Sequence, residues 1–120
     1  MKHYLTAFVI SLFLNGCSNR LVFEPNKLPD GYIGQEYYVP ITISGGGGPV
    51  VDLSYEIHPS NSGLKLEFAE KKYYTKYLYN NFTIQGKPNS QGVITISLKG
   101  GIVASAGQYF EKKYEVNVLK

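Results

Sequence analysis

From Tyr37 to the C-terminus the chain alternates apolar and polar residues in short runs, with turn-forming residues between them. Tyr37, Val39, Ile41 and Ile43 fall on one face of a strand, and Tyr38, Pro40 and Thr42 on the other. Pro40 has no N–H to give to a ladder, which sets this strand at or near a sheet edge. SGGGGP (44–49) ends it. Leu53, Tyr55 and Ile57 form the next inward set, and HPSNSG (58–63) turns the chain. Leu64, Leu66 and Phe68 then alternate with Lys65 and Glu67. Phe82 and Ile84 precede the turn GKPNSQG (86–92), and Ile94, Ile96 and Leu98 alternate with Thr95, Ser97 and Lys99. Tyr114, Val116 and Val118 close the series against Lys113, Glu115 and Asn117. Leu21-Val22-Phe23 is a candidate first strand. The pattern predicts an all-β, antiparallel β-sandwich of about seven short strands and no helix.

The first twenty residues follow a different rule. Lys2 gives a positive start, Tyr4–Leu14 is an uncharged apolar run, and Asn15 and Gly16 follow it. Eleven residues rise only about 16 Å as a helix, roughly half the hydrocarbon thickness of a bilayer, so the run reads as a cleaved signal peptide and not a membrane span. The one cysteine, Cys17, comes directly after it. Leu14-Asn15-Gly16-Cys17 resembles the bacterial lipobox. That resemblance implies cleavage between Gly16 and Cys17, a diacylglycerol thioether on the Cys17 sulfur and an N-acyl chain such as palmitate on its new amino group. It implies no other cofactor. Acyl chains contribute about 0.8 kcal/mol per buried methylene, which holds a protein on a membrane. A thioether also removes the liability of a lone thiol in an oxidising compartment. Ser18, in place of aspartate, implies sorting to the outer membrane. The alternative is an ordinary secretory signal followed by an incidental cysteine. The expected organisation is a signal peptide over 1–16, a lipidated N-terminus and short tether over 17–26, and a sandwich over 27–120.

Composition agrees with strands. Eleven tyrosines and thirteen glycines stand in a chain that is 43% apolar. The whole chain carries +3. Loss of 1–16 removes Lys2 and leaves eleven basic against nine acidic side chains. So balanced a charge is that of an ordinary soluble surface and gives no argument for nucleic acid or a polybasic membrane surface.

Several motifs occur together in order. They are Leu28-Pro29 with Gly31, Gly34 and Tyr37; Gly45-Gly46; Gly63-Leu64; Ile84, Gly86, Pro88 and Gly92; and a closing YEVNV. This series resembles the bacterial immunoglobulin-like, cadherin-like modules over almost the whole mature chain. The resemblance implies an immunoglobulin-like sandwich. The chain departs from the pattern at Ala69–Asn81, where those modules have a short turn.

Residues suited to catalysis are sparse. His58, the one histidine of the mature chain, sits in a turn before Pro59, and no second histidine or free thiol is left to build a zinc or nucleophilic site. Hard cations need several carboxylates, and Asp30 and Asp52 are the only aspartates. The run SGGGGP lacks the GK[ST] and following helix of a phosphate loop. We therefore expect no enzyme, no metal and no nucleic-acid partner. The remaining feature is EKKYYTKYLYNN (70–81), with four tyrosines and three lysines. On one extended strand, Tyr73, Thr75, Tyr77 and Tyr79 would share a face, opposite Lys72, Tyr74, Lys76 and Leu78. One reading is an edge hairpin whose lysines block edge-to-edge pairing. The other is a contact surface, since tyrosine offers large area at low entropic cost and lysines suit acidic or glycan partners. The candidate partner-binding residues are Lys72, Tyr73, Tyr74, Lys76, Tyr77 and Tyr79.

The expected function is a lipid-anchored, non-enzymatic module of the cell envelope that recognises an envelope protein or glycan. Alternatives are an inhibitor or immunity lipoprotein against a toxin or wall-degrading enzyme, and a docking lipoprotein of a secretion or adhesion machine. Nothing in the sequence separates the periplasmic from the surface side or sets the oligomeric state.

Overall fold

Ten strands among the described residues build the fold, and their pairing decides what the alternation buries. The computed structural model describes residues 20–69, 72–73, 76–102 and 109–120, with only the backbone of 72–73 and 76–77. The strands are β1 (Leu21–Glu24), β2 (Gly31–Tyr32), β3 (Tyr37–Gly45), β4 (Val50–His58), β5 (Leu64–Phe68), β6 (Lys72–Tyr73), β7 (Lys76–Tyr77), β8 (Asn81–Gly86), β9 (Gly92–Ile102) and β10 (Tyr109–Leu119). One sheet has the order β1-β3-β8-β5 and the other β2-β10-β9-β4, while β6 and β7 pair only with each other. All pairs are antiparallel except β2 with β10. This is an immunoglobulin-like sandwich, in which the N-terminal strand is split between the two sheets.

The core lies between the sheets and takes the residues that the alternation marked. Ile41, Ile43, Ile84, Ile96, Leu98, Tyr114, Val116 and Val118 are fully buried, with Val39, Leu64, Leu66, Phe82 and Phe110 beside them. Leu21 and Phe23 of β1 pack against the same cluster, so the sandwich reaches back into the 17–26 segment. Tyr55 keeps the expected inward face but is 43% exposed, because β4 ends its sheet and Phe68 of the facing sheet, 6.0 Å away, covers its ring only in part.

Pro40 sits where a proline fits. β1 pairs with β3 only over Thr42–Gly45, and β8 pairs with it over Tyr37–Thr42. The N–H of Ile43 donates to the carbonyl of Asn80 on the β8 side. In an antiparallel pair alternate residues aim their backbone groups at opposite neighbours, so the Pro40 nitrogen faces the side that β1 does not reach.

Two glycine features went beyond the expected turns. Gly45, Gly46 and Gly47 all have φ near +75°, from 71° to 81°. Three consecutive left-handed residues turn β3 into β4, a conformation that side chains with a Cβ resist. Gly100 has ordinary strand geometry but lies under the Phe110 ring, where a Cβ would stand 2.7 Å from the ring carbon Cζ. β9 therefore runs through Gly100 and Gly101 to Ile102 and carries β10 with it back to Tyr109.

Candidate functional site

The segment singled out by its lysines and tyrosines connects β5 to β8. β6 and β7 form a two-rung ladder with Lys72 opposite Tyr77 and Tyr73 opposite Lys76. The segment is therefore not one extended strand, and Tyr73, Thr75, Tyr77 and Tyr79 do not form a single row along one. Two local pairings satisfy some of the backbone groups that an extended excursion would leave open. Tyr74 lies outside the described residues, as do Gly16 and Cys17. Tyr79 is half-buried, and its ring meets Phe68 edge-on at 5.4 Å and 90°. Phe68 in turn lies 5.4 Å from Phe82 and 6.0 Å from Tyr55. Tyr79 thus belongs to an aromatic cluster that closes the core at the open margin between β4 and β5.

Asn80 fixes where this connection returns. Its side-chain Nδ2 donates to the Ile43 carbonyl at 2.9 Å, and its Oδ1 accepts the Val50 N–H at 3.0 Å. Its backbone carbonyl accepts the Ile43 N–H at 2.8 Å, and the neighbouring Tyr79 N–H donates to the Val50 carbonyl at 2.9 Å. Ile43 and Val50 belong to different sheets, so one asparagine ties the two together at the glycine turn. An asparagine between two polar or aromatic residues gives no such signal in sequence. Ala69, Leu78, Asn80 and Asn81 line a cleft of about 240 Å³ at the base of the connection.

The register places this base near the entry of the chain. Leu21 pairs with Gly45, Asn81 with Thr42, and Ile102 with Val50. Arg20, the glycine turn and the root of the β6–β7 ladder therefore occupy one end of the sandwich. His58, Gly86 and Gly92 occupy the other. His58 is exposed at the far end of β4.

Two tyrosines lock the segment between β1 and β3. The Tyr114 hydroxyl donates to the Pro25 carbonyl at 2.7 Å and the Tyr37 hydroxyl to the Pro29 carbonyl at 2.8 Å. Burial pushes both phenols up to about 12, with the negative charge of Asp30 adding to the effect on Tyr37. Lys112, on the inward row of β10, sets its ammonium over the rings of Tyr114 and Phe23 and donates to Asn26 Oδ1. These contacts hold the chain in place. The outer face of β4, β9 and β10 is more open, with a shallow cleft of about 260 Å³ lined by Ser54, Tyr55, Glu56, Ser97 and Lys99. Among the described residues no three His, Cys, Asp or Glu side chains come together in a way that would hold a metal ion.

No protein-family model and no curated protein matches the chain. Among solved structures, the chain is similar to a mutant of the SrpA adhesin from Streptococcus sanguinis, at 11% identity and a TM-score of 0.58. The match covers 86% of this chain and 59% of that one, so this chain spans less than two thirds of the length of the chain it matches. At that identity the likeness concerns the fold.

Proposed function

We propose that this chain is a lipid-anchored, non-enzymatic binding module of the bacterial cell envelope, recognising an envelope protein or glycan through the segment 70–79. Cys17 carries the anchor, and the outer membrane is its site. The observation that carries the reading is the shared end of the sandwich. The root of the lysine- and tyrosine-rich segment and the start of β1 lie together. Only residues 18–20 separate Cys17 from β1, a reach of about 10 Å at full extension. An anchored domain therefore presents this segment close to the bilayer, where a membrane-embedded or membrane-associated partner is met. The adhesin with the similar fold supports a binding role for such a sandwich, and so does the scarcity of catalytic side chains.

The test expresses the full chain in a two-membrane bacterium fed a clickable palmitate, beside Cys17→Ser and beside a Tyr74→Ser, Lys76→Ser, Tyr77→Ser triple variant. Wild type should take up label and co-purify a partner after cross-linking. C17S should lose the label, and the triple variant should keep it and lose the partner. An unlabelled wild type sinks the anchor. A partner kept by the triple variant sinks the assignment to 70–79.

A further inference from the structure

Exposed sheet edges invite pairing, and most of those in this sandwich are guarded. The open half of β3 carries Pro40. β2 has two residues, and β5 has five with Lys65 ion-paired to Glu67 at 3.0 Å. β4 is different. It ends its sheet, and beyond the Tyr79 and Asn80 contacts at Val50 no described residue pairs with its free side. From Asp52 to His58, after the register shift between Val50 and Asp52, the strand holds neither lysine nor proline. Asp52, Ser54, Glu56 and His58 point to the outer face, and Leu53, Tyr55 and Ile57 to the inner side.

We infer that β4 pairs with β4 of a second copy of this chain, antiparallel and centred on Tyr55. Residues directly opposite in an antiparallel pair share a face. A two-fold axis must therefore pass through a residue, because any other register sets inner positions against outer ones. Three centres keep the strands overlapped. Centring on Ser54 sets Asp52 against Glu56, and centring on Glu56 sets that carboxylate against itself; both oppose like charges. Centring on Tyr55 sets Asp52 against His58 of the partner subunit, Ser54 against Glu56 of the partner subunit, and Leu53 against Ile57 of the partner subunit. The His58 imidazole N–H then donates to the Asp52 carboxylate at both ends of the strand, and the Ser54 hydroxyl donates to Glu56. The two Tyr55 rings meet on the axis, which covers the largest apolar side chain exposed on β4. DLSYEIH (52–58) is thus complementary to its own reversal.

The product is a continuous eight-stranded sheet, β2-β10-β9-β4 followed by its two-fold copy. One strand pair buries less than the roughly 1,200–2,000 Å² of a stable interface, so the dimer is of the weak, concentration-dependent class. Antiparallel pairing also sets the two Arg20 ends at opposite ends of the dimer. Two copies anchored on one membrane would then pair lying on their sides, with β4 along the surface. The inference itself does not depend on the anchor.

The test is sedimentation equilibrium on residues 18–120, which carry every described strand and the whole core, from micromolar to about millimolar concentration. Wild type should show a mass rising from one copy toward two. His58→Asp places Asp against Asp52 at both ends and should raise the dissociation constant tenfold or more. Asp52→His places His against His58 and should weaken pairing in the same direction. The double swap D52H with H58D restores both contacts and should return to within about threefold of wild type. These positions are exposed, and circular dichroism checks that each variant is folded. A wild-type mass of one copy throughout overturns the proposal. So does association that the single changes leave intact, or that the swap fails to restore.

Discussion

Replacing Asn80 with alanine should destabilise this domain more than any other polar substitution near the glycine turn. The change removes a donor to the Ile43 carbonyl and an acceptor for the Val50 N–H. Both flanking residues are buried, Ile43 at 2% and Val50 at 0% exposure. Water therefore does not readily replace the lost partners, and each orphaned backbone group costs about 1–3 kcal/mol. Both losses together predict about 2–6 kcal/mol, a large part of the 5–15 kcal/mol typical of a domain. Urea denaturation of N80A beside wild type should show a lower midpoint at unchanged slope, and the melting temperature should fall by about 10 °C or more. Amide exchange adds a local readout, since the Val50 N–H should lose protection. Asn81→Ala is the control. It removes one exposed side-chain bond to Thr42 Oγ1 and should cost less than about 1 kcal/mol. An N80A cost no larger than that of N81A would refute the view that Asn80 joins the sheets.

Two further expectations concern the core and pH. Ile96→Ala and Val116→Ala, both at 0% exposure, should each cost on the order of 1–4 kcal/mol by urea melts, whereas Thr95→Ala and Glu115→Ala should each cost under about 1 kcal/mol. Equal costs at both pairs would mean that the strand faces are misassigned. Tyr37 and Tyr114 ionise at about 12 in the fold against 10.0 for an ordinary phenol. Their neutral forms thus favour the native state: this stability is present below pH 10 and is lost as pH rises from 10 through 12. Y37F with Y114F should flatten that fall, read as urea midpoints at about pH 9 and about pH 11.5.

Much of the sandwich was legible because burial on one face imposes a period of two. Ile94, Ile96 and Leu98, or Tyr114, Val116 and Val118, declare their strands without help from elsewhere. What escaped was set by distant partners. Gly31-Tyr32 is a strand only because Val118 and Leu119 lie alongside it in parallel, and two residues carry no period. Gly100 and Gly101 carry no alternation of their own, yet β9 runs through them because Phe110 packs where Gly100 has no side chain. Tyr79 satisfies the alternation of a surface strand and also that of a core residue, and only the position of Phe68 decides between them. For the candidate site, the tyrosine and lysine content of 70–81 was visible, while its fold into a two-rung ladder was not. A pattern of alternation cannot reveal where a strand doubles back.

The two ends and the two margins of the sandwich divide its possible work. One end gathers the chain entry, the glycine turn and the root of the 70–79 segment, joined through Asn80. A displacement of that segment at Asn80 would therefore bear on both sheets, through Ile43 in one and Val50 in the other. The β4 margin starts from the same Val50, whose carbonyl holds the Tyr79 N–H and caps the free edge at its first residue. The 70–79 segment and the β4 edge thus share a junction. Tyr79 rests on Phe68, which also lies against Tyr55 at the middle of the edge. A shift of Tyr79 would therefore reach the β4 edge by two routes, the backbone bond at Val50 and the aromatic cluster.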